Sequence, residues 1–290
     1  MSSILITGGL GFIGSHLTDS LAEKGHDVVV MDNLCSESSS RNYVRDDVTY
    51  WIDDVRNIGN AKYRRARSFD TVYHLAALAR IQPSFEDPLS YISTDIMGTA
   101  HVLEFARGHG AKTIYAGSSS AYADTMLNPY AFAKYTGEQA CELYNKVYGV
   151  STVVARFFNV YGLRQPTTGA YATVVGVFEQ QLLQKKSLTV TGNGNQRRDF
   201  THVSDIVAGL EFLARDYWSA DIFQLGTGEN YSINELANMF GDDIAYIPAR
   251  PGEAWETLAD YSAMQSATGW IPKTSLKEYI KSWKQKNLSD

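Results

Sequence analysis

Short runs of aliphatic and β-branched residues alternate, through the first half of the chain, with longer stretches whose apolar positions recur at helical spacing. Residues 4–7, 28–32, 48–52, 71–75, 113–117 and 151–156 are nearly continuous apolar runs, the pattern of strands covered on both faces. Residues 12–24, 89–107 and 129–148 between them predict helices. Strands alternating with helices require crossover connections, so the pattern predicts an α/β fold with a doubly wound, Rossmann-type parallel sheet.

The second half has a different rhythm. It predicts a helix at 174–185, a strand at 188–191, a turn at Gly192-Asn193-Gly194, a helix at 204–214 and a strand at 221–225. Shorter helices follow at 233–240, 261–268 and 276–286. The strand at 221–225 is expected to return to the main sheet. The chain then divides into a main α/β domain (1–165 with 204–228) and a smaller mixed α/β lobe (166–203 and 229–290). Repeats and low-complexity segments are absent from the sequence.

Composition narrows the class. At 290 residues, with 44% hydrophobic and 20% charged, the chain is an ordinary globular protein long enough to bury a large core. A net charge of −6 argues against a general nucleic-acid binder. The one basic cluster, residues 62–67, reads as a solvated helix face. Cys35 and Cys141 have neither metal-ligand spacing nor a disulfide framework, and no metal is expected. No apolar run reaches transmembrane length, and the first strand runs into the glycines without a signal peptide, which together predict a cytoplasmic protein.

Two segments carry candidate chemistry. Gly8, Gly11 and Gly14 fall between the first strand and first helix, where small residues let the backbone approach a pyrophosphate. The helix amides near Phe12 and Ile13 face its negative charge. Asp32 ends the second strand, placed to accept hydrogen bonds from an adenosine ribose and to repel a 2′-phosphate, which favours NAD over NADP. Asp53, Asp54 and Val55 follow the third strand, near where an adenine would lie.

The second segment joins Ser118, at the end of the fifth strand, to Tyr130 and Lys134. Asn128-Pro129 reads as a helix start, which puts Tyr130 in the first turn and Lys134 four residues on, on the same face. A free tyrosine titrates near 10, so it needs roughly 4 kcal/mol of help to act as a base near neutrality. Lys134, the helix N-terminus and an oxidised nicotinamide ring are the expected sources. Ser118 would hold the reacting hydroxyl against Tyr130.

In these residues the chain resembles the extended short-chain dehydrogenase/reductases, in their nucleotide-sugar epimerase/dehydratase branch. The resemblance extends through Met31-Asp32-Asn33-Leu34-Cys35, His74-Leu75-Ala76-Ala77 and Arg156-Phe157-Phe158-Asn159-Val160-Tyr161-Gly162. It continues in Gly192-Asn193-Gly194, Arg198-Asp199-Phe200, Arg250-Pro251-Gly252-Glu253 and Leu258-Ala259-Asp260. It implies NAD contacts at Asn33, Ser36, Leu75, Ala76, Ala77, Ala79 and Phe158, beside Tyr130 and Lys134. It also implies substrate contacts at Ser119, Asn159, Thr173 and Thr257, with Arg198 and Arg250 clamping a diphosphate. A homodimer built on the helices at 89–107 and 129–148 is implied too.

Departures from the family pattern sharpen the expectation. Ser119 and Ser120 stand where dehydratases have an acidic pair and decarboxylases a glutamate. Asp95 replaces the family's usual asparagine near the cofactor, and the 12-residue step from Ser118 to Tyr130 is short. The resemblance therefore implies a 4-epimerase acting on a UDP-hexose or, because Thr257 is small, a UDP-N-acetylhexosamine. The alternatives are a nucleotide-sugar reductase or decarboxylase of the same family, and a non-catalytic NAD sensor.

Overall fold

The structure, a computed structural model, describes residues 1–36, 40–122 and 124–288. Seven strands form the main sheet: β1 (Ser3–Thr7), β2 (Asp27–Asp32), β3 (Thr49–Ile52), β4 (Thr71–His74), β5 (Lys112–Ser118), β6 (Thr152–Phe157) and β7 (Ser219–Leu225). Their lateral order is β7-β6-β5-β4-β1-β2-β3, and every pairing is parallel. Strand order reverses between β1 and β4, so the crevice beyond their carboxyl ends is the place where a ligand fits.

Alternation along each strand divides the core in two. Ile4, Ile6, Val28 and Val30 face one side, where helix α1 (Phe12–Glu23) brings Leu17 and Leu21. Leu5, Val29, Met31 and Val72 face the other, where helix α2 (Gly98–His109) brings Val102, Phe105 and Ala106. Each such side chain contributes about 1.5–3 kcal/mol by leaving water. Burial on both faces is why the strands read as continuous apolar runs.

The predicted helix at 89–107 is in fact three pieces: Pro88–Tyr91, a π-helical turn Ile92–Met97, and α2. The wide turn carries Asp95, whose side chain points inward to accept the Leu78 amide (2.8 Å) while its carbonyl accepts the Thr99 hydroxyl (2.5 Å). Turns of this kind often mark functional positions. Helix α3 (Pro129–Tyr148) begins as its sequence predicts: the Asn128 Oδ1 accepts the Ala131 amide at 2.8 Å, and Pro129 stands in the first turn.

Beyond β6, helix α4 (Val174–Leu183) and several two-stranded ladders build the smaller lobe. Leu188–Thr191 pairs in parallel with Ile244–Ile247, and Arg197–Asp199 antiparallel with Asn230–Ser232. Val175, Phe178, Leu188, Val190, Leu236 and Phe240 pack a second core. Helix α5 (Val203–Leu213), β7, Met264 and Trp270 pack instead with the main sheet's first core. The basic cluster is a surface face balanced by acids, with Lys62 3.0 Å from Asp53 and Arg67 paired to Asp27.

Candidate active site

A cleft of about 770 Å³ runs from the glycine loop, past the ends of β4 and β5, to the lobe. On the dinucleotide side it is lined by Gly8, Gly11, Phe12, Ile13, Gly14, Asp32, Asn33, Ser36, Val55, Leu75, Ala76, Ala77 and Ala79. Two glycines are dictated by space. Gly8 has φ +72°, and a Cβ there would lie 2.8 Å from the Ala76 nitrogen. A Cβ on Gly14 would lie 2.1 Å from the Gly8 carbonyl oxygen. Gly11 is the N-cap of α1 and offers no side-chain cap, so the first amides of the helix remain free for an anion.

Asp32, buried at the tip of β2, accepts the Leu10 amide on one carboxylate oxygen (3.0 Å) and the Leu34 amide on the other (2.8 Å). A carboxylate at the tip of the second strand is placed to meet a ribose hydroxyl. A close-packed glycine cradle, open helix amides and a held carboxylate fit NAD. Two predicted contacts sit elsewhere: Asp53 and Phe157 line the cleft, whereas Asp54 and Phe158 do not. Asp54 caps the turn at Val55–Asn57 and pairs with Arg56 (2.7 Å). Phe158 is fully buried against the Tyr122 ring.

The three catalytic candidates converge. The Tyr130 hydroxyl donates to Ser118 Oγ at 3.2 Å, and the Ser120 hydroxyl donates to the same oxygen at 2.9 Å. Ser118 is thereby free to donate its own proton towards a substrate oxygen. Lys134 lies beneath and donates from Nζ to the Ala116 carbonyl at 2.9 Å. Burial raises the Tyr130 phenol, and the Ser118 hydrogen bond and the Arg80 guanidinium are what oppose it, with Asp95 adding to the rise. Burial lowers the Lys134 ammonium, against the attraction of Asp95 and Glu138. Arg80, 50 residues before it in the chain, thus adds a cation near the phenol that the sequence reading had not included.

On the lobe side the cleft is lined by Ser119, Asn159, Thr173, Arg198, Arg250 and Thr257. Arg198 is held by the Arg197 and Trp255 carbonyls (2.9 and 3.3 Å) and by Glu253 (3.5 Å). Thr173 caps α4, accepting the Gly176 amide at 3.0 Å and donating to Gln165 at 2.7 Å. Thr257 Oγ1 accepts the Asp199 amide at 3.4 Å. Asn128 Nδ2 donates to the Gly252 carbonyl at 2.9 Å, so the short loop ahead of α3 is docked directly on the lobe.

Sequence reasoning passed over Arg80, Gln82 and Tyr171, which also line the cleft. The one signal for Arg80 was a lone arginine in the apolar stretch Ala76-Ala77-Leu78-Ala79-Arg80-Ile81.

A dinucleotide cradle at the switch point of a parallel sheet, with a serine at the next strand end and a tyrosine and lysine on the helix beside it, defines a nicotinamide-dependent enzyme site. The chain belongs to the NAD-dependent epimerase/dehydratase family, whose description matches residues 4–226. UDP-glucuronic acid decarboxylase 1 of Danio rerio is 32% identical over 95% of this chain and 70% of its own length. The UDP-glucose 4-epimerase of Thermotoga maritima, solved with UDP-glucose, superposes with a TM-score of 0.91 at 29% identity, covering 99% of this chain and 100% of that one. The UDP-glucuronic acid 4-epimerase of Bacillus cereus, solved with UDP-glucuronic acid and NAD, gives 0.88 at 27% identity, covering 99% and 100%.

Proposed function

We propose that this protein is a UDP-sugar 4-epimerase that keeps its NAD through the catalytic cycle and acts on a UDP-hexose or UDP-N-acetylhexosamine. The observation that carries the reading is the Ser118–Tyr130 pair with hydroxyls, Ser119 and Ser120, in place of carboxylates at the two positions that follow Ser118. Elimination of water needs an acid and a base beside the sugar, and hydroxyls at these positions supply neither. Oxidation of a hydroxyl and its reduction from the other face need only a proton relay from the protein, with NAD as the hydride carrier.

Ser118 holds the sugar 4-hydroxyl against Tyr130, and Tyr130 takes its proton as the C4–H bond breaks. NAD held in the glycine cradle would supply the hydride acceptor and donor at C4. Arg80 and Ser118 stabilise the phenolate that accepts this proton and that forms again when the proton is returned, and Lys134, held on the Ala116 carbonyl, keeps a positive charge beneath the site. The keto sugar, held through its diphosphate by Arg198 and Arg250, turns over in the cleft and receives hydride on its other face. Tyr130 then returns the proton to the new alkoxide, so the cycle is redox-neutral. In this reading the lobe at 166–203 and 229–290 carries the nucleotide, and the segments at 1–165 and 204–228 carry the NAD.

A homodimer and a cytoplasmic setting belong to the same proposal. Leu89, Met97, Leu143, Val147 and Tyr148 leave large apolar surfaces exposed along the Pro88–His109 region and α3, which supports pairing of those helices. Two free cysteines, one exposed and one buried, suit a reducing compartment. No helix among the described residues is long and apolar enough to cross a membrane.

The test is incubation of NAD-loaded protein with UDP-glucose, UDP-N-acetylglucosamine and UDP-glucuronate, each without added reductant. The expected result is a 4-epimer with no net change in nicotinamide absorbance. Net oxidation or reduction would instead mark a dehydrogenase, and active, loaded protein that forms no epimer would overturn the proposal.

A further inference from the structure

Arg80 lines the cleft, partly buried, at the end of the loop that follows β4. Its Nε donates to the Tyr171 carbonyl at 2.8 Å, and its Nη2 donates to the same oxygen. That bond crosses from the main sheet to the segment ahead of α4, so the head group is fixed on both sides. A guanidinium carries five N–H donors. Two serve Tyr171, and the three that remain include the end-on fork that matches a carboxylate.

The surroundings of this cation are unusual for a buried charge. The ionisable neighbours that act on it are phenols, Tyr130, Tyr171 and Tyr91. Among the described residues no carboxylate forms an ion pair with it. Buried charges are normally paired, and burial here works against the charged form. The guanidinium is thus oriented and partly withdrawn from water, with its end-on donor edge uncommitted in a ligand cleft.

Its place relative to the reacting atoms indicates what it would hold. Arg80 acts electrostatically on Tyr130, whose hydroxyl marks the carbon to be oxidised. Around C4 of a hexopyranose the neighbours are the C3 hydroxyl and the substituent of C5. Of these, the C6 position is the one that becomes an anion, when it is oxidised to a carboxylate. We propose that Arg80 is the anion-binding residue of the sugar subsite, and that the substrate is a nucleotide-linked uronic acid held by its carboxylate. This rests on the 4-epimerase reading and narrows its substrate from a neutral hexose to a hexuronate.

The experiment compares UDP-glucuronate, UDP-glucose and UDP alone, in turnover and in binding. Turnover uses the NAD-loaded protein and its Arg80→Gln and Arg80→Lys variants. Binding uses calorimetry on Tyr130→Phe protein, with and without Arg80→Gln, so that no reaction occurs in the cell. The expected kcat/KM favours UDP-glucuronate over UDP-glucose by on the order of 100-fold, the factor given by hydrogen bonds between charged groups. Arg80→Gln slows both substrates, because Tyr130 loses its cation, but it collapses the preference to within a few-fold and raises KM for the uronate. Arg80→Lys, with charge but no fork, falls between. Affinity for UDP alone should be the same with and without Arg80→Gln.

Two results overturn the assignment. In one, UDP-glucose is turned over and bound as well as UDP-glucuronate in the starting protein. In the other, Arg80→Gln weakens UDP as much as UDP-glucuronate, which would put the guanidinium on the diphosphate. If neither sugar is epimerised, the 4-epimerase reading fails, while the binding comparison still decides whether Arg80 selects the carboxylate.

Discussion

Asp95→Asn should remove a pH-dependent loss of stability that the parent protein carries. Asp95 is almost completely buried; its Oδ1 accepts the Leu78 amide, and its Oδ2 has no hydrogen-bond partner among the described residues. Burial pushes the carboxyl up to about 7, against the opposing pull of Lys134 and the Leu78 amide. The folded protein therefore keeps this proton up to about 7, whereas the unfolded chain releases it near 3.8. Between those values unfolding releases a proton, so stability is full below the lower pKa and falls as pH rises through the window. At about 1.36 kcal/mol per unit, the whole window is worth roughly 4 kcal/mol, and the part between pH 5 and 7 roughly 3 kcal/mol. Asparagine offers the same carbonyl to Leu78 and cannot ionise. In thermal unfolding from pH 5 to pH 8, the melting temperature of the variant should gain on the parent by about 5 °C across the range, given the usual unfolding entropy per residue. Every other titrating group is common to both proteins, so the difference curve isolates Asp95. A difference that stays flat with pH would refute the argument.

Three further outcomes follow from the same geometry. Tyr130→Phe removes the proton acceptor and should cut kcat by about 10²–10⁴-fold, with NAD still bound as shown by nicotinamide absorbance of the purified protein. Gly14→Ala places a methyl group 2.1 Å from the Gly8 carbonyl oxygen, so NAD affinity should fall on the order of 100-fold in a fluorescence titration. Glu138 is buried and bound to Arg156 by two contacts of 3.0 and 2.6 Å, so Glu138→Ala should cost about 3–5 kcal/mol in denaturant unfolding by stranding that guanidinium.

Features written locally were legible in the sequence. The glycine loop needs nothing beyond its spacing and a strand before it, and Asp32 is placed by the strand it ends. Asn128, Pro129, Tyr130 and Lys134 share one helix start, so their relative positions follow from helical geometry alone. The doubly wound sheet was equally readable, because parallel strands buried on both faces leave unbroken apolar runs. The short ladders at Arg197–Asp199 and Asn230–Ser232 left no comparable trace, since three-residue strands lack a period long enough to detect. Nor did the sequence show that the helix at 89–107 is interrupted, because a π turn keeps the same apolar composition.

Tertiary structure decided the electrostatics. Arg80 meets Tyr171 across 91 residues, and Lys134 is engaged by the Ala116 carbonyl across 18. Neither pairing has a sequence signature, because it depends on which strand ends the fold brings together. The same holds for Asp95, an ordinary acidic residue in the chain that becomes a proton-retaining one once a wide helical turn carries it under the cleft. Spacing along the chain is enough to place groups on one element. The charge each group bears depends on the water and the neighbours left to it, and those are set only when the elements close on one another.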